Sequence, residues 1–228
     1  MPRECALYVV ATPIGNLGDI TLRAIETLKE ADVIAAEDMR VTRKILSHIG
    51  VSKQLISYRE HNEEKQAKTI ISLIRQGKNV ALVSDAGTPG ISDPGFRVVK
   101  QAQEEGVRVV SIPGPSALIA SLSISGLPTD SFLFLGFPPR KAGQKKNFFR
   151  MVEAYEYTVI VYESPFRVKN TLEVIRETLG ERRVFVAREL TKKFEETFYG
   201  TAAEAVSWIG GKDAIKGEFV ILIGKNNL

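Results

Sequence analysis

Three stretches of this 228-residue chain combine residue types that can hold a ligand by main chain alone: TPIGNLGD (Thr12–Asp19), SDAGTPGISDPG (Ser84–Gly95) and IPGPSA (Ile112–Ala117). Glycine removes the β-carbon, so a ligand can come up to the backbone, and proline fixes the direction of the chain. Ser116 and Ala117 fall where a helix would begin, and the free N–H groups of a first helical turn favour an anion or a carboxylate. Any one of these loops would serve as a tight turn. Three of them at strand ends of one sheet point to a ligand site, because open parallel sheets bind ligands beyond the carboxyl ends of their strands.

The usual nucleotide signatures are missing. No G-x-G-x-x-G follows the first apolar run and no G-x-x-x-x-G-K-[ST] occurs, which disfavours a dinucleotide dehydrogenase or a P-loop nucleotidase. Cys5 is the single cysteine, so a disulfide framework and a cysteine-based zinc site are excluded, and neither His48 nor His61 sits in a metal-ligand spacing. No metal is expected. A single cysteine fits a reducing, cytoplasmic setting.

The elements that would carry these loops alternate. Apolar runs at Ala6–Thr12, Asp32–Asp38, Gln54–Tyr58, Asn79–Ser84 and Val107–Ile112 read as five strands with amphipathic stretches between them. That pattern predicts a mostly parallel sheet covered on both faces. Asp19 is expected to cap a helix running to Lys29, Asn62 a helix ending at Gly77, and Asp93 a helix ending at Gly106, with a further helix over Val41–Ile49. After Gly126-Leu127-Pro128 the character changes. FLFLGF, TVIVYE, RRVFVARE, EETFYG and EFVILIG read as strands of a mixed sheet, with a helix capped by Ser164 whose apolar face is Val168, Leu172, Ile175 and Leu179. The expected fold is therefore two α/β domains, residues 1–116 and 117–228.

Val109–Thr129 carries no charge over a length that could span a membrane, but Pro113-Gly114-Pro115, Gly126 and Pro128 break it. A strand, a turn and a buried helix account for it better. Nothing at the start of the chain reads as a signal peptide, and no membrane partner is expected. The net charge of +4 is unevenly spread. No acidic residue lies between Asp130 and Glu153, whereas Arg140, Lys141, Lys145, Lys146 and Arg150 do, beside Phe137, Phe148 and Phe149. A basic segment with aromatic neighbours suits RNA, and the two later phenylalanines also suit a core.

The fragments TPIGNLGDIT, EDMRVTRKIL, SDAGTPGISDPG, PGPSA, YESPFR, ARELTK and GEFVILI, in this order, resemble the ribosomal RNA small subunit methyltransferase I family of the tetrapyrrole methylase superfamily. The likeness runs from about Leu7 to Gly224. It implies S-adenosylmethionine bound in the cleft between two α/β domains, a homodimer, and 2′-O-methylation of a cytidine ribose in small-subunit ribosomal RNA, within the assembled subunit. Met39 stands where the family more often has a small hydroxyl residue. The chain ends soon after GEFVILIGK, where many members carry a further segment.

By the same resemblance, the cofactor should lie against Pro13, Asp85, Thr88, Ile91, Ser116, Ala117, Tyr162, Glu163, Arg188 and Glu218, much of it through backbone. Asp85 can pair with the donor's ammonium or ribose, or close its strand as an Asx-turn. Groups that could orient or deprotonate a ribose hydroxyl are Asp38 and Arg40 after the second strand, His61 after the third, and Glu189 and Lys192 after VFVAR. Arg40 or Lys192 can instead hold phosphate, and the residue types leave that choice open. RNA contacts are expected from Arg140, Lys141, Lys145 and Lys146, with Arg43 and Lys44 as a second patch. Two other readings are a methylase of a tetrapyrrole or other small molecule, which needs an apolar or acid-binding cavity, and a non-catalytic RNA-binding assembly factor.

Overall fold

The computed structural model describes residues 5–212 and 214–225. The chain divides into two compact units, Met1–Ser116 and Ala117–Leu228. In the first, β1 (Leu7–Val10), α1 (Leu22–Glu30), β2 (Val33–Ala36), α2 (Met39–His48), β3 (Gln54–Ser57), α3 (Glu63–Arg75), β4 (Val80–Val83), α4 (Phe96–Glu104) and β5 (Val109–Ile112) alternate strictly. The strands form one sheet in the order β3-β2-β4-β1-β5, and every pair is parallel.

Period-two alternation sends each strand's side chains to both faces. Val33 and Ala35 of β2 and Val80 and Leu82 of β4 join Ile70, Ile74 and Val98 from α3 and α4. Ile34, Ala36, Ala81 and Val83 join Ala24, Leu28 and Leu46 from α1 and α2 on the other side. With both faces covered, the strands have no polar side to show, which is why they read as unbroken apolar runs. The loop after β1 leads to α1 on one face, and the loop after its neighbour β4 leads to α4 on the opposite face. The two loops part there, which makes this edge the topological switch point.

The second unit comprises α5 (Ala117–Ile124), β6 (Phe132–Phe134), α6 (Ala142–Glu153), β7 (Thr158–Glu163), α7 (Val168–Leu179), β8 (Arg183–Arg188), β9 (Glu196–Thr201), α8 (Ala202–Gly210) and β10 (Phe219–Ile223). Its sheet runs β6-β7-β10-β8-β9, with β6 parallel to β7 and the other pairs antiparallel. Phe149 and Val152 of α6, Val168, Leu172 and Ile175 of α7, and Ala205 and Ile209 of α8 form one core with Val159, Val161, Val184, Val186 and Ile221. Among the described residues, no helix is long and apolar enough to cross a membrane.

The helix starts depart from the sequence expectation. Asp19 ends a short 3-10 turn over Leu17–Asp19, and Thr21 caps α1 through its hydroxyl, which accepts the Ala24 N–H at 3.1 Å. Asn62 occupies the cap position of α3 as expected, but its side chain makes no capping bond to the helix; it accepts the Arg59 N–H at 2.7 Å and closes the preceding turn. Gly95, not Asp93, occupies the cap position of α4. Ser164 opens a turn whose carbonyl accepts N–H groups from Arg167 and Val168, so α7 begins later than expected. The first sheet is wholly parallel rather than mostly so.

Candidate functional site

The loops after β1 and β4 are tied together. Thr12 and Gly87 exchange two backbone hydrogen bonds, at 2.8 and 3.0 Å, as an isolated bridge. The Thr12 hydroxyl donates to the Ser84 carbonyl at 3.1 Å. Gly87 holds φ +82°, a region that glycine enters without strain. Pro13 is buried beneath this junction, Thr88 is half-buried, and Ile91 is exposed. The distal end of the β4 loop, at Gly95, folds back on its middle, at Pro89 and Gly90. Its clamp is Glu63 at the head of α3, whose carboxylate accepts the Gly95 N–H at 2.9 Å and lies 3.5 Å from Arg97. Ser92, in the same loop, takes φ +62°, a left-handed conformation that costs a non-glycine residue about 1–2 kcal/mol.

An open cavity of about 380 Å³ lies beside this loop, at the carboxyl ends of β2, β3 and β4. Asp38, Arg40, His61 and Asp85, expected from sequence at separate strand ends, all line it. Asp38 is committed to its own helix: its carboxylate caps α2 by accepting the Arg40 N–H at 2.8 Å and takes the Arg40 guanidinium as well. That guanidinium bond, with the cap behind it, holds the Asp38 carboxyl far below the ordinary carboxylate range. Asp85 accepts the Asp38 N–H at 2.9 Å, so it braces the β2 end as well as its own loop. His61 is exposed on the rim.

Three charged lining residues were not singled out from sequence: Glu37, Arg59 and Glu60. Glu37 is half-buried, and its carboxylate accepts the Asp85 N–H at 3.3 Å. Burial pushes its pKa up and the adjacent Asp85 carboxylate adds to the rise, against the Asp85 N–H and the Arg59 guanidinium. Arg59 donates through Nε to the Glu37 carbonyl at 3.0 Å. The only sequence signal was position, immediately after a buried strand, and the neighbouring Asp38 carries the same signal.

Within the second unit, Glu189, Lys192 and Glu218 form one cluster. The Lys192 ammonium donates to Glu189 and to Glu218, each at 2.9 Å, and Glu189 also accepts the Glu218 N–H at 3.0 Å. Burial alone would raise Glu189, but the Lys192 and Glu218 hydrogen bonds outweigh it and hold the carboxyl below its ordinary value. Arg188 is half-buried and engaged with Glu196 and the Lys216 carbonyl. The Tyr162 hydroxyl accepts the Leu118 N–H at 3.2 Å, which fixes the first turn of α5 just after Ser116 and Ala117.

Two expectations need correction. Lys145 is 2% exposed and does not present itself to RNA. Its ammonium donates to Asn170 at 2.9 Å and to the Thr171 hydroxyl at 3.0 Å. The Glu163 side chain is also wholly buried, where it takes the Thr171 hydroxyl at 2.6 Å, the Arg167 guanidinium at 3.0 Å and the Ser164 N–H at 2.8 Å. A carboxylate so buried and so engaged does not reach a ligand from the surface, which leaves only its backbone for that purpose. Arg140, Lys141 and Lys146 are exposed on and before α6, as are Arg43 and Lys44 on α2; Phe149 is core and Phe137 is exposed.

The corner at Pro13, Gly87, Thr88, Gly114 and Pro115 consists of main chain and small side chains. A Cβ added to Gly114 would come within 3.0 Å of the Ala11 Cβ, and one added to Gly87 would lie 3.9 Å from the Pro115 carbonyl. A bare backbone surface next to a carboxylate such as Asp85 suits a nucleoside and an ammonium group, so the residues present fit S-adenosylmethionine.

The two-unit α/β fold with side-chain-poor loops at a switch point is that of a methylase of the tetrapyrrole type, as the family match shows. The Tetrapyrrole (Corrin/Porphyrin) Methylases family matches residues 6–206. The solved structure of a cobalt precorrin-4 methyltransferase, a cobalamin biosynthetic enzyme, superposes with a TM-score of 0.72 at 17% identity, covering 98% of this chain and 96% of that one. The ribosomal RNA small subunit methyltransferase I of Halalkalibacterium halodurans is 50% identical over 96% of this chain and 76% of its own length. The Thermotoga maritima protein of the same name is 43% identical over 96% of this chain and 98% of its own length. The chain belongs to the ribosomal RNA small subunit methyltransferase I family within the tetrapyrrole methylases, and it is an S-adenosylmethionine-dependent methyltransferase.

Proposed function

We propose that this enzyme methylates the 2′-hydroxyl of a cytidine ribose in small-subunit (16S) ribosomal RNA, with the assembled subunit as acceptor, as a homodimer in the cytoplasm. The observation that carries this reading is the 50% identity, over 96% of the chain, with a protein named for that RNA. When bound, S-adenosylmethionine supplies a methyl group already activated by the positive charge on its sulfur. The protein therefore has to hold, align and dry the reactants and to manage one proton. Holding and aligning alone can lower such a barrier by about 7–11 kcal/mol.

Pro13, Thr88, Ile91, Ser116 and Ala117 act through main chain and van der Waals surface, and Asp85 takes the polar end of the donor. Tyr162, Arg188, Glu218 and the Glu163 backbone serve from the second unit. His61, Arg40, Glu189 and Lys192 orient or hold parts of the nucleotide. Arg43, Lys44, Arg140, Lys141 and Lys146 meet phosphates. Incubating the enzyme with labelled S-adenosylmethionine and isolated small subunits, then mapping the label, tests the reading. Label on a cytidine ribose supports it; label on free tetrapyrrole with unlabelled RNA overturns it.

The basic segment makes its own prediction. Replacing Arg140 and Lys146 together by alanine lowers the slope of log affinity against log salt by about one for each phosphate that is no longer neutralised, measured by filter binding across a salt series. Replacing Lys145 leaves that slope unchanged, since its ammonium is internal. An unchanged slope in the Arg140/Lys146 variant removes those residues from the RNA surface.

A further inference from the structure

Two carboxylates on the wall of the unit-one cavity, Glu37 and Asp85, each accept a single hydrogen bond among the described residues, and Asp85 is the one that takes the polar end of the donor. Asp38 is bound to α2 and to Arg40. Asp85 holds the Asp38 N–H. Glu60 is exposed on the rim. Glu37 is half-buried on the cavity wall, and among the described residues its carboxylate has one hydrogen bond, the 3.3 Å contact from Asp85 N–H. Arg59, a cation on the same cavity wall, spends its Nε on the Glu37 carbonyl rather than on the carboxylate. The wall is also continuous with the cofactor-type loop, because the same residue, Asp85, lines the cavity and stands two positions before the Thr12–Gly87 bridge.

We infer that Glu37 accepts the proton of the ribose hydroxyl that this enzyme methylates. The inference rests on the reading under Proposed function and names a residue for its proton transfer. The hydroxyl proton passes to a Glu37 carboxylate oxygen, and the electron pair of the O–H bond is left on the ribose oxygen as it forms its bond to the methyl carbon. The carbon–sulfur bond breaks with its pair left on sulfur. One sulfonium cation and one carboxylate anion become a neutral thioether and a neutral carboxylic acid, so the charge cancels within the site.

The groups facing Glu37 act in opposite directions, with a net rise. Burial and the Asp85 and Asp38 carboxylates make it more basic than an ordinary glutamate, and the Asp85 N–H and Arg59 moderate this; Arg40, Glu60 and His61 also line the cavity. A stronger base is a better acceptor provided it remains ionised at working pH.

Glu37→Gln keeps the shape and an acceptor for the Asp85 N–H while removing the base. Expected is a fall in kcat of about 10²–10⁴-fold, with KM for small subunits and calorimetric affinity for S-adenosylmethionine within about threefold of wild type. The acid limb of the kcat profile disappears, and Glu37→Asp restores part of the rate. A carbon-detected titration of carboxyl-labelled glutamate in the free protein should show one residue titrating above the ordinary range, missing in the Glu37→Gln protein and shifted down in Asp85→Asn. For a carboxyl whose folded pKa is raised, stability falls as pH rises from the unfolded value through the folded one. Glu37→Gln therefore unfolds at a higher temperature than wild type at neutral pH, opposite to a folding defect. A kcat within about threefold of wild type, or a persisting acid limb, overturns the role of Glu37 while active wild type upholds the methyl-transfer reading. Wild type that labels no RNA overturns that reading and this role with it.

Discussion

Replacing Glu163 by alanine is expected to lower the unfolding free energy by about 3–5 kcal/mol, the usual loss when one partner of a buried charge pair is removed. The Glu163 carboxylate is the single anion among two cations, Lys145 and Arg167, within the α6–β7–α7 packing. Arg167 reaches it directly, and Lys145 reaches it through the Thr171 hydroxyl. Burial lowers the Lys145 pKa, and the attraction of Glu163 opposes that. Without the carboxylate, both cations stay desolvated and the Thr171 hydroxyl loses its acceptor.

Urea unfolding followed by circular dichroism measures the loss. Lys145→Met combined with Glu163→Gln should cost less than the two single changes added, because the pair leaves together. A loss below about 1 kcal/mol for Glu163→Ala would show that this network does not hold the unit together.

The second large effect is expected at Gly95. A Cβ there would lie 2.7 Å from the Gly90 nitrogen and 3.0 Å from its Cα. These are backbone atoms that cannot turn aside, so Gly95→Ala must open the fold-back of the β4 loop and break the Glu63 clamp at 2.9 Å. Overpacking of this kind costs about 1–3 kcal/mol. Because Thr88 and Ile91, which we propose contact the donor, belong to this loop, opening it should also weaken S-adenosylmethionine binding by at least about tenfold, or 1.4 kcal/mol. Gly106→Ala is the control. It has φ +66° and open space around the added carbon, so it should cost about 1–2 kcal/mol of backbone strain and leave calorimetric affinity unchanged. Equal affinities in the two variants would disconnect the loop from the ligand.

Most of the architecture is readable in the sequence. Strands such as Val80–Val83 and Phe219–Ile223 are buried on both faces, and burial of that kind writes itself into sequence as an unbroken apolar run. Helix starts are less legible, for one physical reason. Asp19, Asp93 and Ser164 are residue types that favour turns as well as caps. At each of these three places the chain makes a turn first, and the helices begin later, at Leu22, Phe96 and Val168. The helix α8 (Ala202–Gly210) was not expected, although Thr201 and Glu204, which form a reciprocal cap, mark its start in the sequence.

The site is legible as a set of loops and not as a set of side chains. The glycines and prolines identify the switch point because they act through local backbone geometry. The burial of Lys145 depends on Glu163, Asn170 and Thr171, which arrive from two later elements. Glu37 and Asp38 differ in role only because the second is spent on the helix that follows it.

The place of β1 in the first sheet has a consequence for how the chain is made. Leu7 pairs with Val80 on one side and Val109 on the other. This strand is therefore made apolar and unpaired, gaining its first neighbour only when β4 follows about 70 residues later and its second when β5 follows about 100 residues later. Contacts so distant along the chain form slowly, and exposed apolar edges invite aggregation in the interval. Nascent-chain folding of this enzyme must begin elsewhere, around β2, α2 and β3, whose partners are close in sequence.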